Sequence, residues 1–250
     1  MIAVGKATRL LRYFLGSDKR YTARVHLGAR TTTDDAEGEV IATAPFEHVT
    51  PEDVGEALAS FCGTISQVPP AYSALHVDGK RAYELARKGA EVTLQPRTVH
   101  IYRLVMTECQ LPEFELDITC SGGTYIRSIA RDLGKQLHSE AYLCGLRRTE
   151  ACHFCIDQAQ SLHFYLAQES LEPFLIPLSQ AMFSFERIDA SYSEIHNLLN
   201  GLPTNFHVSC DGIYTVWYAS RLMAILERKA GKNDYLRLLS AQEFDADYGG

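Results

Sequence analysis

Between residues 113 and 138 the hydrophobic period of the chain changes from two to about 3.6 within four residues. Phe114, Leu116, Ile118 and Cys120 alternate with polar neighbours, which predicts a strand with one buried face. Ser121-Gly122-Gly123-Thr124 ends that strand, and the glycine pair permits a tight turn. Ile126, Ile129, Leu133 and Leu137 then recur on one side, predicting a helix over 125–138. Its first amides have no partner within the helix, and such a start favours an anion. Arg127, Arg131 and Lys135 fall at i, i+4 and i+8 and form a cationic stripe away from the apolar side. Taken alone, such a stripe reads as a solvated helix face; beside a free helix start it also suits phosphates. The glycine spacing is neither a Walker loop nor G-x-G-x-x-G, so no nucleotide cofactor is expected.

The rest of the first 160 residues mixes strands and helices without a strict βα repeat, which predicts an α+β fold. Strands are expected over 19–28, 39–43 and 97–107. A helix is expected over 51–62, opened by Thr50-Pro51 with Glu52 and Asp53 in its first turn. Residues 66–80 are turn-rich, with Pro69-Pro70 holding them extended, and a short helix from Ala82 to Arg87 is expected to stop at Gly89. Beyond residue 160 the character changes. Pro173 and Pro177 bracket a linker, 188–200 reads as a helix, and 212–218, 222–228 and 235–239 (ending at Leu239) read as strands. The expected domains are 1–172 and a small β-rich domain over 173–250.

Charge is divided unevenly. Residues 1–150 carry 18 Lys+Arg against 19 Asp+Glu, a balance of 18 − 19 = −1, while 151–250 carry 6 against 12, a balance of 6 − 12 = −6. The cations cluster at Arg9 and Arg12, at Lys19, Arg20 and Arg24, at Lys80 and Arg81, at Arg87 and Lys88, and at Arg147 and Arg148. Tyr13, Tyr21, Tyr72, Tyr83 and Tyr125 lie among them, a combination that suits unpaired RNA: cations grip phosphates and aromatic faces stack on bases. The seven cysteines are an odd number and fit reduced thiols. Cys152 and Cys155 have CxxC spacing but no second pair to complete a zinc site, and no metal is expected. Asp34 and Asp35 are adjacent, and sequence neighbours point apart too often to make a good acid–base pair. No apolar run is long enough for a membrane helix and no signal sequence opens the chain, so a cytoplasmic protein is expected.

Several segments together resemble the TruB family of tRNA pseudouridine synthases. They are Gly5-Lys6-Ala7-Thr8-Arg9, Lys19-Arg20-Tyr21, Leu27-Gly28 with Thr31 to Gly38, Gln67-Val68-Pro69-Pro70-Ala71-Tyr72-Ser73-Ala74, Gly79-Lys80-Arg81-Ala82-Tyr83, Cys120-Ser121-Gly122-Gly123-Thr124-Tyr125-Ile126-Arg127-Ser128, Asp132-Leu133-Gly134 and Leu146-Arg147-Arg148-Thr149. The resemblance implies a pseudouridine-synthase-type sheet with flanking helices and a C-terminal domain of the PUA type. It implies isomerisation of the T-loop uridine (uridine-55) of tRNA, on a base flipped out of its stack, with no metal and no cofactor. Tyr21 matches the tyrosine that stacks on the target base, Tyr125 and Arg127 the pair that contacts the flipped nucleotide and orients the catalytic aspartate, and Leu146 an apolar pocket wall. Arg9, Lys19, Arg20, Lys80, Arg81, Arg131, Lys135, Arg147 and Arg148 are the expected RNA contacts, with the tRNA T-arm as partner and a monomer as the working state.

Two departures accompany the resemblance. The family's nucleophilic aspartate sits in G-x-L-D-P, a motif absent from these 250 residues, and the expectation is that it lies upstream of Met1 together with strands of the central sheet. The alternative is a non-catalytic tRNA-binding or folding factor. His76 stands where the family usually has lysine, which weakens a phosphate contact.

Overall fold

A computed structural model describes residues 2–77, 79–87, 93–204 and 206–238. Gly89 and Leu239, expected to end a helix and a strand, lie outside them, as does Lys88. The chain divides into two compact units, one of Phe14–Ala159 and one of Gln160–Gly250 with Ile2–Tyr13. The division falls after Ala159, where the composition-based boundary was 172/173.

The first unit is built on a six-stranded antiparallel sheet in the order β10-β9-β1-β8-β7-β4. Its strands are β1 (Lys19–Leu27), β4 (Gly63–Gln67), β7 (Arg97–Gln110), β8 (Glu113–Cys120), β9 (Ala141–Ala151) and β10 (Phe154–Cys155). Two small hairpins, β2 (Ala29–Thr31) with β3 (Val40–Thr43) and β5 (His76–Val77) with β6 (Lys80–Arg81), stand outside that sheet. Its helices are α2 (Pro51–Ala59), α3 (Ala82–Arg87) and α4 (Ile126–Gln136); a four-residue α1 covers Leu11–Phe14, of which Leu11–Tyr13 belong to the second unit.

The alternation foreseen over 113–120 sets the core. In β1 and β8, Tyr21 faces Ile118, Ala23 faces Leu116 and Val25 faces Phe114. Cross-strand partners share a face, and on this one all but Tyr21 are fully buried. Val54, Ala57 and Leu58 of α2 and Ile126, Ile129, Ala130 and Leu133 of α4 belong to the same cluster. Thr50 caps α2 through a capping box with Asp53. β9 carries two irregularities. Arg20 and Tyr21 pair with Glu150 and Arg148, and Arg24 and Val25 pair with Gly145 and Leu143, so Thr149 and Cys144 are each one residue extra.

The second unit holds a four-stranded sheet in the order β11-β12-β13-β14, formed by Glu186–Asp189, Gly212–Tyr218, Arg221–Lys229 and Lys232–Arg237. β11 runs parallel to β12 and the other pairs are antiparallel. Helix α7 (Tyr192–Leu199) buries Ile195, Leu198 and Leu199 among Tyr214, Val216, Met223, Ala224 and Leu226. Two shorter helices, α5 (Leu162–Leu166) and α6 (Leu178–Ala181), precede it in the chain. No helix among the described residues is long and apolar enough to cross a membrane.

Two glycines give stability tests of opposite sign. A Cβ on Gly134 of α4 would stand 2.5 Å from the Ala141 nitrogen, where backbone must move. Gly134→Ala is expected to cost about 1–3 kcal/mol. A Cβ on Gly55 of α2 would meet nothing within 4 Å. Gly55→Ala is expected to gain about 0.5–1 kcal/mol, and urea melts of the two variants check both signs.

Candidate functional site

Helix α4 begins without a side-chain cap of its own, because Tyr125 occupies the N-cap position. A distant residue closes that end. The Gln67 side-chain carbonyl accepts from the Tyr125 N–H at 2.8 Å, and its amide donates to the Tyr125 carbonyl at 3.1 Å. Gln67 is buried, so this replaces water that cannot reach the helix start. The chain after Gln67 then lies along α4: the Ser128 hydroxyl donates to the Val68 carbonyl at 2.8 Å, and Arg127 Nη2 donates to the Tyr72 carbonyl at 2.9 Å. The Gln67–Tyr72 segment is thus a strap on the helix.

Arg127 also reaches the loop after β2. Its Nη1 donates to the Thr33 carbonyl at 3.0 Å and to an Asp35 carboxylate oxygen at 2.9 Å. Asp35 further accepts from the Thr33 hydroxyl and, at 3.1 Å, from the Glu37 N–H. Asp34 has φ 59°, a left-handed conformation that aspartate tolerates better than most residues. In that conformation the two neighbouring carboxylates do not diverge: both meet α4, Asp35 on Arg127 and Asp34 on Arg131 at 3.0 Å. Burial pushes the Asp34 carboxyl above the usual range, with Arg131, Arg127 and Arg30 pulling the other way.

Beside this junction opens a cavity of about 1060 Å³. Its lining includes Thr32, Thr33 and Asp35 from the loop, Tyr72 and Ser73 from the strap, Tyr83 and Arg87 from α3, Arg127 from α4, and Leu143 to Leu146 from β9. Arg87 stacks over the Tyr83 ring at 5.4 Å. Of the four residues expected to hold substrate, Arg127 and Leu146 line the cavity, while Tyr21 and Tyr125 stand outside that lining. Tyr21 is half-buried and shares a sheet face with Leu146, since Leu146 pairs with Ala23 two residues along β1. Tyr125 contributes its backbone to the Gln67 lock.

The nine expected RNA-contacting cations separate into two groups. Arg9, Lys80, Arg81, Lys135, Arg147 and Arg148 are exposed. The other three are engaged by the protein's own groups. Arg131 is buried, with Nε on Asp132, Nη1 on Asp34 and Nη2 on Val68 and Asp132, so the expected cationic stripe is not one solvated ridge. Arg20 grips Asp117 with two nitrogens at 2.8 and 2.9 Å and reaches Glu150 at 3.1 Å. Lys19 turns back to the Leu15 and Ser17 carbonyls, and burial lowers its pKa. Arg131 is a buried charge that needs partners, and in all three cases the partners take donors a phosphate would use. Cys152 and Cys155 face different groups, the Ser17 hydroxyl and the Asp157 carboxylate, and among the described residues no cluster is arranged to hold a metal ion.

Residues 1–126 match the model of the TruB family pseudouridylate synthase (N terminal domain). This chain belongs to the TruB family. It is 52% identical over 156 residues to the tRNA pseudouridine synthase B of Microcystis aeruginosa, covering 61% of this chain and 53% of that protein. It is 38% identical over 237 residues to the enzyme of the same name from Mycobacterium ulcerans, covering 93% of this chain and 77% of that one. The chain thus spans about half to three quarters of the length of these relatives. Among solved structures it resembles the one titled crystal structure of a Cbf5-Nop10-Gar1 complex, with a TM-score of 0.65 at 20% identity over 96% of this chain and 66% of that one. A structure of an H/ACA RNP bound to a substrate RNA containing 2'-deoxyuridine gives 0.64 at 17%, over 94% and 68%. These likenesses support the α+β fold of this TruB family member.

Sequence reasoning missed the role of Gln67 and discounted Asp35. A helix whose N-cap position is a tyrosine signals a borrowed cap, but not which residue lends it. Nothing local announces that Asp34 is left-handed.

The Arg20–Asp117 pair yields a pH test. Asp117 is held below the usual carboxylate range, chiefly by Arg20 and then by Arg103. A depressed folded-state value means the contribution is complete above the unfolded value of about 3.9 and fades as pH drops through the folded one. Asp117→Asn is expected to lose about 1.5–3 kcal/mol at neutral pH. Urea melts repeated toward acid should show that deficit closing.

Proposed function

We propose that this chain holds the target uridine of a tRNA pseudouridine synthase, acting on uridine-55 in the T-loop as a cytoplasmic monomer without metal or cofactor. The observation that carries the reading is Arg127: an arginine in a segment that resembles the family's, fixed from two sides in the wall of a cavity that also presents Tyr72, Tyr83, Arg87 and Leu146. Aromatic faces, an apolar lip and a fixed cation suit a base taken out of its stack together with its phosphate. Leu146 is 49% exposed at the edge of the cavity. Tyr21 on the same sheet face supplies a ring for stacking, and Tyr125 flanks Arg127 at the helix start. The exposed Arg147 and Arg148, next to Leu146 in β9, are placed to meet backbone phosphates as the base enters. That a relative of the same fold is solved with substrate RNA supports an RNA ligand here. The second unit, with its α7-covered sheet, serves on this reading as a PUA-like RNA-binding domain.

The chemistry calls for a nucleophilic carboxylate. Asp35 is unsuited to that part, because its oxygens are already engaged by Arg127, Thr33 and the Glu37 N–H. The engagement of both Asp35 oxygens favours a second reading, a binder that holds the T-arm without isomerising it.

Two measurements test this. Anisotropy with a labelled T-arm stem-loop is expected to show salt-dependent binding, and Arg147→Glu/Arg148→Glu should lower affinity at least about tenfold and flatten the salt slope by about two. An unchanged affinity and slope would remove the interface from β9. Tritium release from uridine-labelled tRNA by this chain would establish isomerisation; binding without release would favour the holding role.

A further inference from the structure

Two arginines one turn apart on α4 perform parallel tasks. Each takes one member of the Asp34-Asp35 pair and one carbonyl of the strap: Arg127 holds Asp35 and Tyr72, Arg131 holds Asp34 and Val68. Only Arg127 lines the cavity; neither Arg131 nor Asp34 does. Arg131 and Asp34 are buried, each with 11% of its side chain exposed. Asp132 closes the remaining side of Arg131 at 2.9 and 3.1 Å.

Stability alone explains this pair poorly. Two charges withdrawn from water recover little more than their desolvation cost, and apolar residues of similar volume often serve as well. What an ion pair with fixed bond directions supplies is register. Asp34 is where register is at stake, because its left-handed backbone decides whether Asp35 points to α4 or away. The same residue is fastened on its backbone: its carbonyl accepts from the Leu143 N–H at 3.1 Å, and the Ala36 N–H donates to the Leu143 carbonyl at 3.1 Å. Side chain and backbone together lay the loop across β9 and α4, with Asp35 opposite Arg127.

We infer that Asp34 and Arg131 are positioning residues: their buried ion pair fixes the loop so that Asp35 orients the Arg127 guanidinium toward the cavity. The inference rests on the reading of that cavity as the uridine site only for its functional consequence, not for the coupling itself.

The test uses the full chain with Asp34→Asn, Arg131→Met and Arg131→Lys. The first readout is spectroscopic: the Arg127 guanidinium N–H signals in a ¹H–¹⁵N spectrum, identified by their loss in Arg127→Lys. In Asp34→Asn and Arg131→Met these signals should shift or broaden, and in Arg131→Lys they should return toward their original positions. The second readout is T-arm stem-loop affinity, expected to fall about tenfold in Arg131→Met and to recover most of that in Arg131→Lys. Circular dichroism identifies a variant that has unfolded; Asp34→Asn, which keeps size and shape, then carries the test. Unchanged Arg127 signals in folded Asp34→Asn or Arg131→Met overturn the inference. If the unsubstituted chain does not bind RNA, the uridine reading fails while the spectroscopic result still decides the coupling.

Discussion

Charge cannot be buried on helix α4 without being answered, and much of the site follows from how it is answered. Arg127 and Arg131 lie on a helix whose opposite side is packed into the core by Ile126, Ile129 and Leu133. Their guanidinium groups must therefore meet oxygen atoms near the helix. The chain supplies these from two directions, carbonyls from the strap and carboxylates from the loop after β2. The strap gains its place in this way, the loop is held both so and by its backbone bonds to Leu143, and both segments contribute to the wall of the cavity.

The same rule sorts the remaining cations. Arg20 belongs to the outer face of the sheet, where Asp117 and Glu150 neutralise it and Arg103 joins the cluster. Lys19 folds back on backbone carbonyls. Among the nine expected contacts, the positive charge left facing water is that of Arg9, of Arg147 and Arg148 on β9, of Lys80 and Arg81 on the β5–β6 hairpin and of Lys135 near the end of α4, and this distribution, rather than the net charge of −7, is what an approaching phosphate meets.

The scaffold was legible from the sequence wherever one physical rule acted locally. The alternation of Phe114, Leu116, Ile118 and Cys120 became β8, and the helix foreseen over 125–138 is Ile126–Gln136. The strands foreseen at 212–218 and 222–228 appear as Gly212–Tyr218 and Arg221–Lys229. The site was legible in part. Arg127 and Leu146 stand in the cavity wall, because the segments carrying them also fix the sheet and helix. Asp35 was discounted because sequence adjacency hides a left-handed backbone, and Gln67 was missed because a cap lent across 58 positions leaves no local trace. Arg131 was misread for a related reason: helical spacing places a side chain on a face but does not reveal what another segment lays over that face.

The extra residue at Cys144 has a consequence for how this chain tolerates change. Leu143 and Leu146 are three apart, so in an unbroken strand they would look in opposite directions. Because one residue of β9 bulges out, they pair with Val25 and Ala23 and look the same way, one into the core and the other onto the rim. Insertion or deletion of a single amino acid in that interval would send the rim leucine to the far side of the sheet, whereas many side-chain exchanges would leave it where it is. At this point in the molecule, chain length is a stricter requirement than chain composition.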